Sequence, residues 1–348
     1  MKKVYIAGGG IAGMSAGICL KKKGIPVTIY EKSSKVGQNR HGDYEGLENW
    51  IFNESISSFF SNIGFDYSQI QSSPVNSFMV HSIDKDPLLV ESKKPFFFLV
   101  KRGDKKNDFD SQLYQQCKRV GVDFVFNSNA PDSCDIIATG TRRASAYVHG
   151  SSFKTSQENQ VHLLLGSQFS PKGYAYLIIN NGYGTIATAF KKVKNNNNNY
   201  LENCKKYFRR LDIFISNEED FGSRGSFAFS SSRIKLPIQV GEAGGFQDYL
   251  FGFGMKMSMI SGLVAGLHMC GEISNAKLLL MNINKKKRIS FLNRIIYEKL
   301  SDDQMYFLAQ KFSFSNNPLS ILEQAYKWNF RAALTWINSK RKYEIRPN

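Results

Sequence analysis

The sequence predicts an α/β protein: a parallel-sheet domain, an interleaved α+β domain on an antiparallel sheet, and a helical C-terminal region. Three observations carry this. A short apolar run, Val4–Ala7, opens into four glycines, as a buried strand turning into a helix would. Alternating apolar runs in the middle of the chain meet at Asn180-Asn181-Gly182, a hairpin signal. A second glycine-rich stretch, Val240 to Gly254, leads into a long apolar helix.

Val4, Tyr5, Ile6 and Ala7 suit a strand buried on both faces. Gly8, Gly10 and Gly13 then fit G-x-G-x-x-G, and Ile11, Ala12, Met14, Ala16, Ile18 and Leu20 continue as a helix closed by Lys21-Lys22-Lys23-Gly24. Pro26–Tyr30 supplies a second strand that ends at Glu31. The first glycine permits a tight turn, the second an open approach for a pyrophosphate, and the third close packing of helix on strand. The helix N-terminus offers free N–H groups to phosphates. Glu31 is spaced to accept hydrogen bonds from ribose hydroxyls and to disfavour a 2′-phosphate.

The polar stretch SSKVGQNRHGDYEGLENW, from Ser33, reads as a long loop, with a helix near Glu54 to Ile63. Residues 75–100 read as β-structure, with Phe96–Val100 as a buried strand, and Phe109–Arg119 as a helix before a strand at Val122–Phe126. Asp135–Ala138 reads as a strand running into Thr139-Gly140. From Val161 the pattern changes to hairpins; Asn195–Asn199 reads as a loop and Tyr200–Leu211 as an amphipathic helix. Leu236–Val240 reads as a strand and Met255–Met269 as a helix, and the rest is helical with an interruption at Pro318.

The 348 residues suffice for two connected domains. No apolar run approaches the roughly 20 residues of a membrane span. Glycines fall too early for a secretory leader, so a cytoplasmic protein is expected. The five cysteines are scattered, which fits reduced thiols, and neither they nor the five histidines form a metal-ligand pattern. The formal charge of +17 is unusual, and the last 68 residues carry 13 Lys/Arg against 5 Asp/Glu. Such an excess attracts anionic partners or simply forms a solvated surface.

The stretch from Val240 to Gly266 places Glu242 directly after a strand, within a glycine turn, and sets Gly252 and Gly254 before a helix rich in small residues. With the N-terminal fingerprint and Thr139-Gly140, it resembles the glutathione-reductase-like FAD fold, in the branch of geranylgeranyl reductases and aromatic hydroxylases. That branch usually reads G-D-A-A-G-F and then P-x-x-G-x-G-I. Here Glu242 replaces the aspartate, Gly244 the alanine, Tyr249 the proline and Met255 the isoleucine. Ser170–Phe190 is similar to the reductases' aromatic hairpin, with Pro171 and Tyr174 matching and Tyr176 standing for a tryptophan.

The resemblance implies FAD bound by Gly8, Gly10, Ile11, Ala12, Gly13, Glu31, Lys32, Arg40, Arg102, Thr139, Gly140, Gly241, Glu242, Gly252, Gly254 and Met255. It implies an FAD domain at 1–70, 100–150 and 225–275, a substrate domain at 71–99 and 151–224, and a helical region at 276–348. Some relatives carry a cysteine in the loop after the first βαβ unit; here that segment reads His41-Gly42-Asp43-Tyr44-Glu45-Gly46-Leu47. His41, Glu45, Tyr174 and Tyr176 are the catalytic candidates. The implied activity is reduction of C=C bonds in a hydrophobic, lipid-like substrate by hydride from reduced flavin N5. NAD(P)H or reduced ferredoxin would be the transient donor, because no second nicotinamide motif follows. Two alternatives stand beside it: a class A flavin monooxygenase acting on a small aromatic or polyene, and a flavin- or nucleotide-binding protein without redox catalysis. The basic aromatic C-terminal helices (Trp328, Phe330, Arg331, Trp336, Lys340, Arg341) are expected to touch a membrane peripherally or to cap the substrate domain. Specific nucleic-acid binding is not expected, as no recognisable motif for it occurs.

Overall fold

The computed structural model describes residues 2–141, 146–191, 199–225, 229 and 232–342, the last three by backbone alone. Residues 195–198, most of the asparagine run read as a loop, lie outside them.

A five-stranded parallel sheet forms the first core. Its spatial order is Ile238–Gln239, Ile136–Ile137, Val4–Ala7, Val27–Tyr30 and Asp123–Val125. The sheet is therefore assembled from segments far apart in sequence. The helix Ile11–Lys22 is buried from Ile11 through Leu20, because it is packed between this sheet and the helix Met255–Met269. Small residues permit the approach: a Cβ on Gly262 would lie 2.1 Å from the Ala12 carbonyl oxygen, and one on Gly266 would lie 2.8 Å from Cys19 Cβ.

The second core lies on a seven-stranded sheet in the order Glu219–Gly225, Ala146–Lys154, Tyr183–Lys191, Tyr174–Asn180, Gln160–Leu165, Ser77–Ser82 and Leu88–Glu91. The expected hairpin is there: Asn180 faces Tyr183, with Asn181 and Gly182 both at positive φ. Leu164, Phe169, Leu177 and Ile186 pack against Cys204 and Phe208 of the helix Tyr200–Arg209.

A small sheet of Tyr44–Glu48, Phe97–Lys101 and Ser73–Val75 joins the two cores. It corrects the loop reading of residues 33–50. YEGLE contains one aliphatic side chain and buries a carboxylate, so its burial comes from the phenylalanines of the partner strand rather than from its own pattern. The strands Ala146–Lys154 and Glu219–Gly225 are also additions, as both are polar and contain glycine.

Four helices complete the chain: Ile273–Tyr297, Asp302–Ser313, Pro318–Ala325 and Phe330–Lys342. Pro318 starts its helix instead of interrupting one. It occupies the first turn behind Asn317, whose side chain accepts a hydrogen bond from Ser320 N–H. No helix among the described residues is long and apolar enough to cross a membrane.

Candidate functional site

Four loops gather at the carboxyl ends of the parallel strands, where open α/β sheets bind ligands. The first is the turn after Val4–Ala7. Gly8 has φ of +103°, and a Cβ there would lie 2.4 Å from the Ala138 carbonyl oxygen. A Cβ on Gly13 would lie 2.1 Å from the Gly8 oxygen. Gly10 differs from both: its φ of −73° and ψ of 177° suit any residue, and a Cβ would meet nothing within 4 Å. Two glycines thus close the turn, and the third keeps open the space in front of a helix that no side chain caps. Ile11 and Ala12, which open that helix, are buried behind this approach.

The second loop carries Glu31. One carboxylate oxygen accepts from Gly9 N–H at 2.8 Å and the other from Ser33 N–H at 2.8 Å. The carboxylate is held in place with lone pairs left for hydroxyl donors. Lys32 is exposed beside it.

The third and fourth loops meet over the first. Gly241 donates its N–H to Ser261 Oγ at 2.8 Å, and a Cβ on it would lie 3.0 Å from Ala12 Cβ. Glu242 projects to the surface, where its carboxylate accepts from the Thr141 hydroxyl of the loop that also carries Thr139 and Gly140. Gly140 and Gly252 both face open space, and Gly254 begins the helix Met255–Met269 with no side-chain cap and no acid in the first turn. Buried Tyr249 stands where the motif has proline. The turn is fixed instead by Asp248, which accepts from Phe251 N–H at 2.9 Å, Tyr326 hydroxyl at 2.7 Å and the Ser290 hydroxyl.

The four loops thus leave a continuous open edge that runs from Glu31 past Gly10 to Glu242. Residues 6–61 match the family model described as an NAD(P)-binding Rossmann-like domain. Over the whole chain, a geranylgeranyl bacteriochlorophyll reductase-like protein from Thermoplasma acidophilum superposes with a TM-score of 0.69 at 19% identity, covering 96% of this chain and 95% of that one. The present chain has the fold of an FAD-dependent oxidoreductase. A flavin-dependent brominase superposes at 0.67 with 14% identity over 99% of both chains. The p-nitrophenol 4-monooxygenase of Pseudomonas putida gives 0.65 with 11% identity, over 94% of this chain and 97% of that one. In sequence, a thiamine thiazole synthase from Thermococcus kodakarensis is 37% identical over 67 residues, 19% of this chain and 27% of that protein. The match thus spans about a quarter of that relative's length.

In this flavoprotein fold the remaining candidates separate. Arg40 is an exposed cation, with Nη1 3.4 Å from Glu45 Oε1. Arg102 is only 2% exposed and spends its nitrogens on carboxylates. Nε and Nη2 donate to Asp110 at 2.8 Å each, and Nη1 donates to Glu45 Oε2 at 2.6 Å. This geometry makes Arg102 an anchor for Glu45. His41 lies exposed and stacked on Phe221, with ring centroids 5.2 Å apart. Tyr174 donates to the Phe251 carbonyl, and its ring lies 6.2 Å from that of Tyr176. Burial raises the pKa of both phenols.

The sequence reading missed the apolar wall between the late glycine turn and the antiparallel sheet. Phe253, next to Gly254, packs 4.9 Å from Trp50 and 5.7 Å from Phe97, and its ring fills the place a Gly46 side chain would take. The aromatic residues flanking Gly252 were the available signal.

Proposed function

We propose that this chain binds FAD and acts as an oxidoreductase on a hydrophobic substrate, reducing a C=C bond. One observation carries the reading: Gly241 packs on Ala12, which brings two distant glycine turns together, while Gly10 and Gly252 keep open space in front of them. Gly8 to Gly13 would hold the diphosphate, with Glu31 and Lys32 at the adenosine ribose and Arg40 near the phosphates. Thr139, Gly140, Gly241 and Glu242 would hold the ribityl chain, and Gly252, Gly254 and Met255 would face the ring.

When bound, the flavin supplies a hydride at N5, after reduction by NAD(P)H or ferredoxin. The chain's own residues do the rest. Trp50, Phe97, Phe251 and Phe253 keep water from the substrate side. Tyr174 ties the wall to the late turn through the Phe251 carbonyl. The half-buried phenol of Tyr176 keeps its proton, because the loss of water around it raises its pKa. Arg40 and Arg102 orient Glu45 Oε1 and Oε2 on the strand that follows His41. Likeness in fold to a brominase and a nitrophenol monooxygenase supports a second reading, hydroxylation with O₂.

The absorbance spectrum of the purified full chain tests the cofactor. Oxidised-flavin bands that bleach with dithionite are expected, whereas a colourless protein that cannot be reconstituted with FAD would overturn the proposal. Anaerobic turnover of a polyprenyl substrate, gaining two hydrogens, supports the reductase; substrate-stimulated O₂ uptake supports the monooxygenase instead.

A further inference from the structure

The helix Phe330–Lys342 has two unlike faces. Ala332 and Trp336 are buried, with the Trp336 ring 4.7 Å from Phe229, 6.2 Å from Phe291 and 5.6 Å from the Arg288 guanidinium. This fixes the helix by one side. On the other side Phe330, Leu334 and Ile337 are 77%, 47% and 50% exposed. Their spacing of four and three residues puts all three within one narrow arc of the helix. Isolated exposed apolar residues need no explanation, but a rigidly displayed stripe does.

Charge says what the stripe meets. The helix contains no acid and four basic residues, Arg331 and residues 340–342 in its last turn. Lys327 precedes it, also exposed, and the surrounding 68 residues carry the 13-to-5 basic excess. A second copy of the chain would set two acid-free basic helices against each other, within molecules that each carry +17. RNA would use the charge and leave Phe330, Leu334 and Ile337 in water. An anionic bilayer satisfies both: headgroups neutralise the cations, and the acyl boundary takes the apolar stripe.

We propose that Phe330–Lys342 is a docking helix that lies in the interface of an anionic membrane, with Phe330, Leu334 and Ile337 inserted. The inference stands apart from the flavin reading, since it uses no residue of that site.

Co-sedimentation of the full chain with phosphatidylcholine vesicles, with and without phosphatidylglycerol, tests it. Binding is expected on the anionic vesicles, declining as salt is raised. Phe330→Ser/Leu334→Ser/Ile337→Ser should weaken it by roughly ten-fold or more, with an unchanged thermal melt. Phe330→Trp should show blue-shifted emission on phosphatidylglycerol vesicles, which reports insertion rather than surface adsorption. No binding at low salt, equal binding by the triple variant, or an unshifted tryptophan would each overturn the proposal. So would a dimer in sedimentation equilibrium that the triple variant abolishes, or displacement of the stripe's binding by RNA at equal charge.

Discussion

Ala12 and Gly241 are in contact across the two glycine turns, a Cβ on Gly241 lying 3.0 Å from that of Ala12. The late turn therefore sits against the first turn of the helix that Gly10 opens. This separates residues that shape the turn from those that leave room for a ligand. Gly10→Val keeps an ordinary backbone and fills empty space, so it should cost about 1 kcal/mol as a poorer N-cap and yet abolish FAD content. Gly13→Val would drive a side chain into the Gly8 carbonyl and should prevent folding. Flavin absorbance per polypeptide, read alongside circular-dichroism melts, distinguishes the two.

Arg102 and Asp110 form a buried, two-pronged ion pair that also steadies Glu45. Burial raises the Asp110 pKa, but the Arg102 guanidinium more than offsets it and holds the carboxyl below its ordinary value. Arg102→Met would strand that carboxylate and should lower unfolding free energy in urea by about 3–5 kcal/mol. The double variant Arg102→Met/Asp110→Leu should recover much of the loss. Equal losses in the single and double variants would show that the pair adds nothing beyond packing.

The sequence made the nucleotide half of this arrangement readable and left the ion pair invisible, for a physical reason. Strand Val4–Ala7 and helices Phe109–Arg119 and Met255–Met269 fall where local periodicity places them, because each buries its own apolar residues. Tyr44–Glu48 does not, since its burial is supplied by Phe97 and Phe98 from another segment. Pairings such as Arg102 with Glu45 depend on that strand, so they were unreadable as well. The histidines looked dispersed for the same reason: a parallel pairing of Ser77–Ser82 with Gln160–Leu165 brings two of them together.

His81 Nε2 lies 2.8 Å from His162 Nδ1, and His162 Nε2 lies 2.7 Å from Gln160 Oε1. Since the Gln160 oxygen only accepts, His162 carries its proton on Nε2 and receives one from His81. Burial lowers both pKa values from 6.5 to about 4, with the neighbouring ring adding to the shift of His81. The unfolded chain thus binds protons that the folded one refuses, and stability should fall as pH drops from 6.5 toward 4. The loss is on the order of 3 kcal/mol per histidine at most. In urea titrations His81→Phe/His162→Leu should flatten this acid limb; an unaltered limb would assign it to other groups.

Glu48 is fully buried with neither carboxylate oxygen hydrogen-bonded, and Lys256 is buried with its ammonium likewise unpartnered among side chains, 5.0 Å over the Phe59 ring. Burial pushes the Glu48 pKa up to about 8, against the pull of Lys256, and lowers that of Lys256. The folded protein keeps a proton that the unfolded chain releases, so the Glu48 contribution is complete below 4.5 and is lost as pH rises toward 8. Glu48→Gln should remove this alkaline slope, and denaturation midpoints measured across that window check it.

The parallel sheet closes late. Its outer strand, Ile238–Gln239, and the helix Met255–Met269 that roofs the first turn come from the last third of the chain. A nascent polypeptide on the ribosome therefore exposes the apolar face of Ile11–Lys22 through most of its synthesis. Chaperone capture during translation, and the timing of cofactor loading, should both be set by the moment the segment around Gly262 emerges.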